Sequence, residues 1–217
     1  MTRHLALAAM LVALPFAAAA QDAPASPCER GNDDAKTWIA DCQADIAATA
    51  PSDTARRAAD YANLTFADIN LALQTDHRFA AAIADATKGI AIDSGNIEAY
   101  LNRANAYFYA GDYGKSLADI AQLLRLDPND AKGHSLRCNI DLKQDRPRDA
   151  IDDCRTAIVL GFDTGWSHLS LADALLATGD KASAIVQYQL AIDSKDLYSD
   201  EKARAVAALA ALGAPAP

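Results

Sequence analysis

Four cysteines and four histidines are the residues of this chain with the widest chemical repertoire, and their spacing limits what they can do. Cys28, Cys42, Cys138 and Cys154 make no C-x-x-C and no C-x-x-C-H, and no Cys/His set has the spacing of a zinc site. An even number of cysteines in an oxidising compartment allows three pairings; the alternative is buried free thiols. His134 and His168 stand 34 residues apart and could meet as a metal pair, but no third ligand is visible. Ser167 lies in G-W-S-H-L, which lacks the second glycine of a nucleophile elbow. The doublet Asp33-Asp34 suits a helix cap, and Asp152-Asp153 a solvated helix face, better than an acid–base pair. There is no glycine-rich phosphate loop, and Asp127-Pro128-Asn129-Asp130 lacks the Gly and the terminal Glu of a calcium loop. These residues point to no catalytic centre, no metal and no cofactor.

The 217 residues are 51% apolar, enough for one domain, and much of that fraction is alanine, which favours helix over bulky packing. A net charge of −9 argues against nucleic acid or an anionic membrane as partner, since either needs a basic face. Residues 1–20 read as a secretory signal peptide: Arg3 is the positive start, Leu5 to Phe16 the apolar run, and Ala18-Ala19-Ala20 the cleavage site before Gln21. The run is shorter than the roughly 20 residues of a membrane span. Pro27 precedes Cys28 where a lipid-attachment site needs Gly or Ala, so no stable membrane anchor is expected. The mature chain is expected in the periplasm or secreted, with its N-terminus near Gln21.

A fixed interval positions everything else. In Ile97 to Asp130, the residues Tyr100, Ala104, Tyr107, Ser116, Ile120 and Pro128 take positions 4, 8, 11, 20, 24 and 32 of a 34-residue unit. Steps of 34 place Asn70, Ala104, Cys138 and Ala172 at position 8, and Ala82, Ser116, Ala150 and Ala184 at position 20. This spacing of large and small residues resembles the tetratricopeptide repeat (TPR), a helix-turn-helix of the same length. The resemblance implies an all-α, right-handed solenoid of antiparallel helix pairs, with units at 63–96, 97–130, 131–164 and 165–196. Residues 21–62 are then a flexible lead-in, Gln21 to Pro27, and an N-terminal helix striped by Trp38, Ile39, Cys42 and Ile46 as a degenerate half-repeat. Residues 197–217 supply a capping helix and a disordered tail. Gly111 and Gly179 fit the left-handed turns inside their units.

Antiparallel helices place residues opposite one another when they lie equally far from the turn. Cys138 and Cys154 are centred on Arg146, and Cys28 and Cys42 on Ala35, which favours these two pairs among the three connectivities.

In the TPR family, positions 2, 5, 6, 9, 12 and 13 of the first helices line a concave groove for an extended peptide or partner helix. By resemblance this groove holds Asn102, Asn105, Phe108, Tyr109, Lys132, Asn139, Leu142, Lys143 and Trp166. Of the residues that grip a C-terminal carboxylate in some family members, only Asn102 and Lys132 have counterparts; Ala67, Leu71 and Leu136 occupy the other places. The resemblance implies a non-enzymatic adaptor or scaffold with a protein or peptide partner. The alternative is a ligand-binding, metal-binding or enzymatic role built on His134, His168 and the cysteines.

Overall fold

Eleven helices and no strand make up the described residues, 25–31 and 34–215, of the computed structural model. The expected signal peptide, the cleavage before Gln21, and Asp33 lie outside them. The helices are α1 Pro27–Arg30, α2 Ala35–Ala48, α3 Thr54–Gln74, α4 Ala80–Ile92, α5 Ile97–Tyr109 and α6 Tyr113–Leu126. They continue as α7 Ala131–Lys143, α8 Pro147–Val159, α9 Gly165–Ala177, α10 Lys181–Asp193 and α11 Ser199–Ala211.

Local chemistry sets most of these boundaries. Asn96, Asp130 and Thr164 share the last position of successive units, and each accepts an amide hydrogen in the first turn of the helix that follows. Asp112 and Asp180 do the same for α6 and α10, while α8 starts at Pro147, whose missing N–H would have gone unused there. The turn inside every unit passes through a left-handed residue at position 15: His77, Gly111, Asp145 and Gly179, with φ of 55°, 78°, 56° and 91°. Two of these are not glycine, so units 63–96 and 131–164 carry a backbone cost that the flanking helix pairs must offset.

Antiparallel pairs α3/α4, α5/α6, α7/α8 and α9/α10 stack in sequence, α2 packs on α3, and α11 on α10. The core follows the stack as a row of clusters rather than one centre. At the crossing within each pair the small residues are fully shielded: Ala104, Ala172, Ala82, Ser116, Ala150 and Ala184. The Ser116 hydroxyl donates to the Ala104 carbonyl at 2.7 Å, so the contact between the helices is made directly on backbone.

Both favoured cysteine pairs are formed, with Cα separations of 4.4 Å for Cys28–Cys42 and 5.4 Å for Cys138–Cys154. The second ties α7 to α8 across 16 residues, a loop whose closure constrains the unfolded chain by about 3 kcal/mol. The first staples α1 to α2. Helix α1 starts at Pro27, the last residue of the expected lead-in, for a local reason: Ser26 and Glu29 form a reciprocal capping box over it. Trp38 Nε1 donates to the Cys28 carbonyl at 2.9 Å, and the Trp38 ring meets Phe66 of α3 edge-on at 5.6 Å.

A second correction concerns Asp152-Asp153. Asp152 is exposed, but Asp153 is buried between α7 and α8. Arg137 donates to both of its oxygens at 2.6 Å, and His134 Nδ1 lies 2.9 Å from Oδ1. Burial raises the pKa of Asp153, but the hydrogen bonds from Arg137 and His134 outweigh it, and the carboxyl is held below its ordinary value. One unit earlier, Arg103 grips Asp119 in the same two-pronged way at 2.8 and 2.7 Å. In unit 63–96 the acid recurs as Asp85, but Ile69 stands where the arginine would be. Asp85 pairs instead with Lys88 at 2.6 Å. Burial, with the adjoining Asp85 carboxyl, pushes Asp68 up to about 7, against the opposing charge of Lys88.

A carboxyl whose folded pKa is raised stabilises the fold below its unfolded pKa, and that stability is lost as pH rises through the folded value. The melting temperature is therefore expected to fall between pH about 4 and 7 by the equivalent of about 1–2 kcal/mol, less than full linkage because the pair is partly screened by solvent. Asp68→Asn keeps a donor towards Asp85 and should flatten that part of the curve. A pH–melting profile unchanged by the substitution would show that Asp68 ionises normally.

Candidate functional site

The first helices of successive pairs leave a concave face with a cavity of 1220 Å³, lined by α5, α7 and α9 and closed at the C-terminal end by the start of α11. Helix α5 contributes Asn105, Phe108 and Tyr109; α7 contributes Lys132, Asn139, Leu142 and Lys143; α9 contributes Trp166. These are groove residues expected from the repeat register, and the fold brings them to one surface.

The aromatic wall is braced from behind. Tyr109 stacks on Phe79 of the preceding unit at 5.7 Å and meets Phe108 edge-on at 5.4 Å, and Phe108 packs on Tyr113 at 5.8 Å. Tyr109 stays 47% exposed, so an apolar face is presented to the cavity in a fixed orientation. Burial nonetheless raises the pKa of its phenol, so the hydroxyl stays a donor over the physiological range. Asn139 is held across the stack by the Ser170 hydroxyl, which donates to its Oδ1 at 2.7 Å. That contact leaves the Asn139 Nδ2 donors without a partner among the described residues. Lys132 reaches Glu98 at 3.5 Å; both side chains are more than half exposed, so the pair is weak and easily exchanged for a ligand.

Asn102 stands apart from this set. It is buried, and its Nδ2 donates to the Ala62 carbonyl of α3 at 2.9 Å, which makes it a strut between neighbouring units and not part of the cavity lining. Helical spacing alone does not separate it from Asn105, which lies one turn on and is half-buried with its Nδ2 on the Leu101 carbonyl at 3.1 Å. Ala67 and Leu136 are buried as well, so no carboxylate clamp is assembled here.

His134 and His168 each use both ring nitrogens within the chain. His134 lies between Asp153 and the Pro128 carbonyl, 2.9 and 3.1 Å away, and His168 between Gln187 and Asp163, both at 2.7 Å. They tie first helices to second helices. The one group of three potential metal donors among the described residues, Cys28, Asp45 and Asp60, includes a sulfur already bonded to Cys42.

The groove also contains residues that the sequence reading passed over. Tyr198, Asp200, Glu201 and Arg204 form its C-terminal wall. One more step of 34 from Lys132 and Trp166, both at position 2, lands on Asp200, so the register itself carried this signal.

A family profile described as Tetratricopeptide repeat matches residues 97–130, the same unit that defines the spacing. Solved structures agree along most of the chain. The chain carries a tetratricopeptide repeat at residues 97–130 and has the fold of TPR proteins. A thermophilic TPR protein of Thermus thermophilus superposes with a TM-score of 0.64 at 18% identity, over 81% of this chain and 91% of its own. A TPR protein from Parabacteroides merdae gives 0.56 at 17% identity, over 85% and 74%. YrrB, described as a TPR protein with an unusual peptide-binding site, gives 0.53 at 18% identity, over 70% and 76%. No curated protein sequence matches the chain. At these identities the likeness is one of TPR fold.

If Asn102 is a strut, Asn102→Ala should remove the hydrogen bond between α5 and the Ala62 carbonyl, leave a gap at a buried position, and cost about 1–2 kcal/mol of stability. Thermal unfolding measures this. A variant as stable as the wild type would return Asn102 to the pool of groove residues.

Proposed function

We propose that this TPR protein is an exported, periplasmic adaptor or scaffold that holds an extended segment of a partner protein in its concave groove. The observation that carries the reading is the braced aromatic wall of Phe108 and Tyr109 facing the unpaired amide donors of Asn139 across a cavity large enough for several side chains. An extended peptide offers apolar side chains to such a wall and carbonyls to such donors, while Lys132 and Lys143 add attraction for acidic groups. YrrB, which shares the fold, is described with a peptide-binding site of its own.

The disulfides support export. Both cysteine pairs are disulfides, the form that persists in an oxidising compartment. No helix of the described residues is long and apolar enough to cross a membrane. The alternative of a metal site or catalytic centre on His134, His168 and the cysteines is not favoured, because their nitrogens and sulfurs are already bonded within the fold.

Two measurements test this reading. A photo-crosslinking residue at Ser135, inside the groove, should capture partner protein in cells, whereas one at Val159, 84% exposed and outside the cavity lining, should not. Lys132→Ala with Lys143→Ala should then weaken the captured interaction by about 1–2 kcal/mol without lowering the melting temperature. Capture at Val159 alone would move the binding surface off the groove. For localisation, cell fractionation with N-terminal sequencing should recover a periplasmic chain beginning near Gln21, with no free thiol. A cytoplasmic chain retaining Arg3 would overturn export.

A further inference from the structure

The two ends of the groove differ in charge. Lys132 and Lys143 stand at the α7 side, whereas the far wall presents Asp200 and Glu201 from the first turn of α11. The cation of that far wall, Arg204, is already committed to Asp173 at 2.6 Å. Asp200 and Glu201, in the first turn of α11, are offset by the N-terminus of that helix but have no side-chain ion pair among the described residues. Glu201 is the more telling of the two, since its Oε2 is shielded from solvent and has no hydrogen-bond partner among the described residues. A carboxylate oxygen in that state costs free energy until a donor reaches it. The same cavity is lined by two aromatic rings that the fold leaves uncovered, Trp166 at 42% and Tyr198 at 72% exposure.

We infer that this α9/α11 end of the groove receives a cationic side chain, an arginine or lysine, from the bound segment. The inference rests on the groove reading above and adds the chemistry and direction of the segment. A guanidinium is planar and weakly hydrated, so it can lie on an indole or phenol face while its N–H groups donate to carboxylates at its rim. Trp166, Tyr198, Asp200 and Glu201 supply both halves of that recognition within one cavity. Charge complementarity then orients the occupant: its basic residue sits at α11, its apolar residues cross Phe108 and Tyr109, and its acidic residue or residues lie towards Lys132 and Lys143.

The test uses the full mature chain and a displayed library of random 12-residue peptides as probe. Selected peptides that crosslink at Ser135 are titrated against Trp166 fluorescence in a Trp38→Phe background. Peptides carrying Arg or Lys should be enriched, and exchange of that residue for neutral citrulline or glutamine should lower affinity about tenfold. Asp200→Asn with Glu201→Gln should cost the cationic peptide a similar factor and leave the neutral peptide unaffected, with the melting temperature checked alongside. Equal binding of cationic and neutral peptides, or a loss not shared with the carboxylate variant, overturns the cation site while leaving the groove intact. A library that yields no peptide crosslinking at Ser135 overturns the groove reading and this inference together.

Discussion

The close approach of the two helices in each pair is the constraint on which the rest of the structure depends. In the last three units positions 8 and 20 hold nothing larger than alanine, serine or cysteine, and Ser116 bonding straight to the Ala104 carbonyl shows how little room there is. Contacts so close bury backbone and methyl groups rather than large side chains, so they contribute little transfer free energy per residue. Other contacts have to hold the pairs. In unit 97–130 these are the cluster around Leu101, Ile120 and Leu123 and the Arg103–Asp119 fork; in unit 131–164 they are the Arg137–Asp153 fork and the Cys138–Cys154 disulfide. Unit 165–196 relies on the large cluster around Leu169, Leu175 and Tyr188.

Unit 63–96 is the exception, because it lacks the arginine–aspartate fork. The arginine is replaced by Ile69, and the acid it would have gripped is left beside Asp68. Two carboxyls so placed cannot both ionise without penalty. The N-terminal half of the stack compensates from outside the unit, through α2 packed on α3, the Cys28–Cys42 staple and the Trp38–Phe66 contact. A capping segment that carries its own disulfide adds a covalent constraint beside the first repeat, which lacks the fork of the next two.

What could be read from the sequence follows from which property repeats. Residue size repeats at positions 8 and 20, and it reveals the helix pairs; the symmetry of Cys138 and Cys154 about Arg146 reveals their bridge. Charge repeats too, as Arg103 and Arg137 sixteen residues before Asp119 and Asp153, but a search for apolar period passes over it, and so Asp153 reads as a surface acid. Asn102 and Asn105 show a limit of another kind. Both lie on the first helix at positions that face the groove in the family, yet the distance to α3 decides that one binds a neighbour's carbonyl and the other reaches the cavity. That distance depends on how two units stack, which no local pattern encodes.

The last helix both closes the core and shapes the end of the groove. A repeat stack must end in an element that covers the apolar side of its final pair, and α11 does so by burying Ala205 and Leu209 against the α9/α10 core. Covering alone requires only that inner face. The outer turns of α11 could have carried any solvating residues, yet its first turn brings Asp200 and Glu201 to the cavity, and Arg204 crosses to Asp173 on α9. Because Tyr188 also donates to Asp173 at 2.7 Å, the position of α11 is coupled through one carboxylate to both helices of the last unit. The groove wall at this end is thus fixed by the same contacts that close the core, which gives a wall built on a cap the rigidity of one built on a repeat.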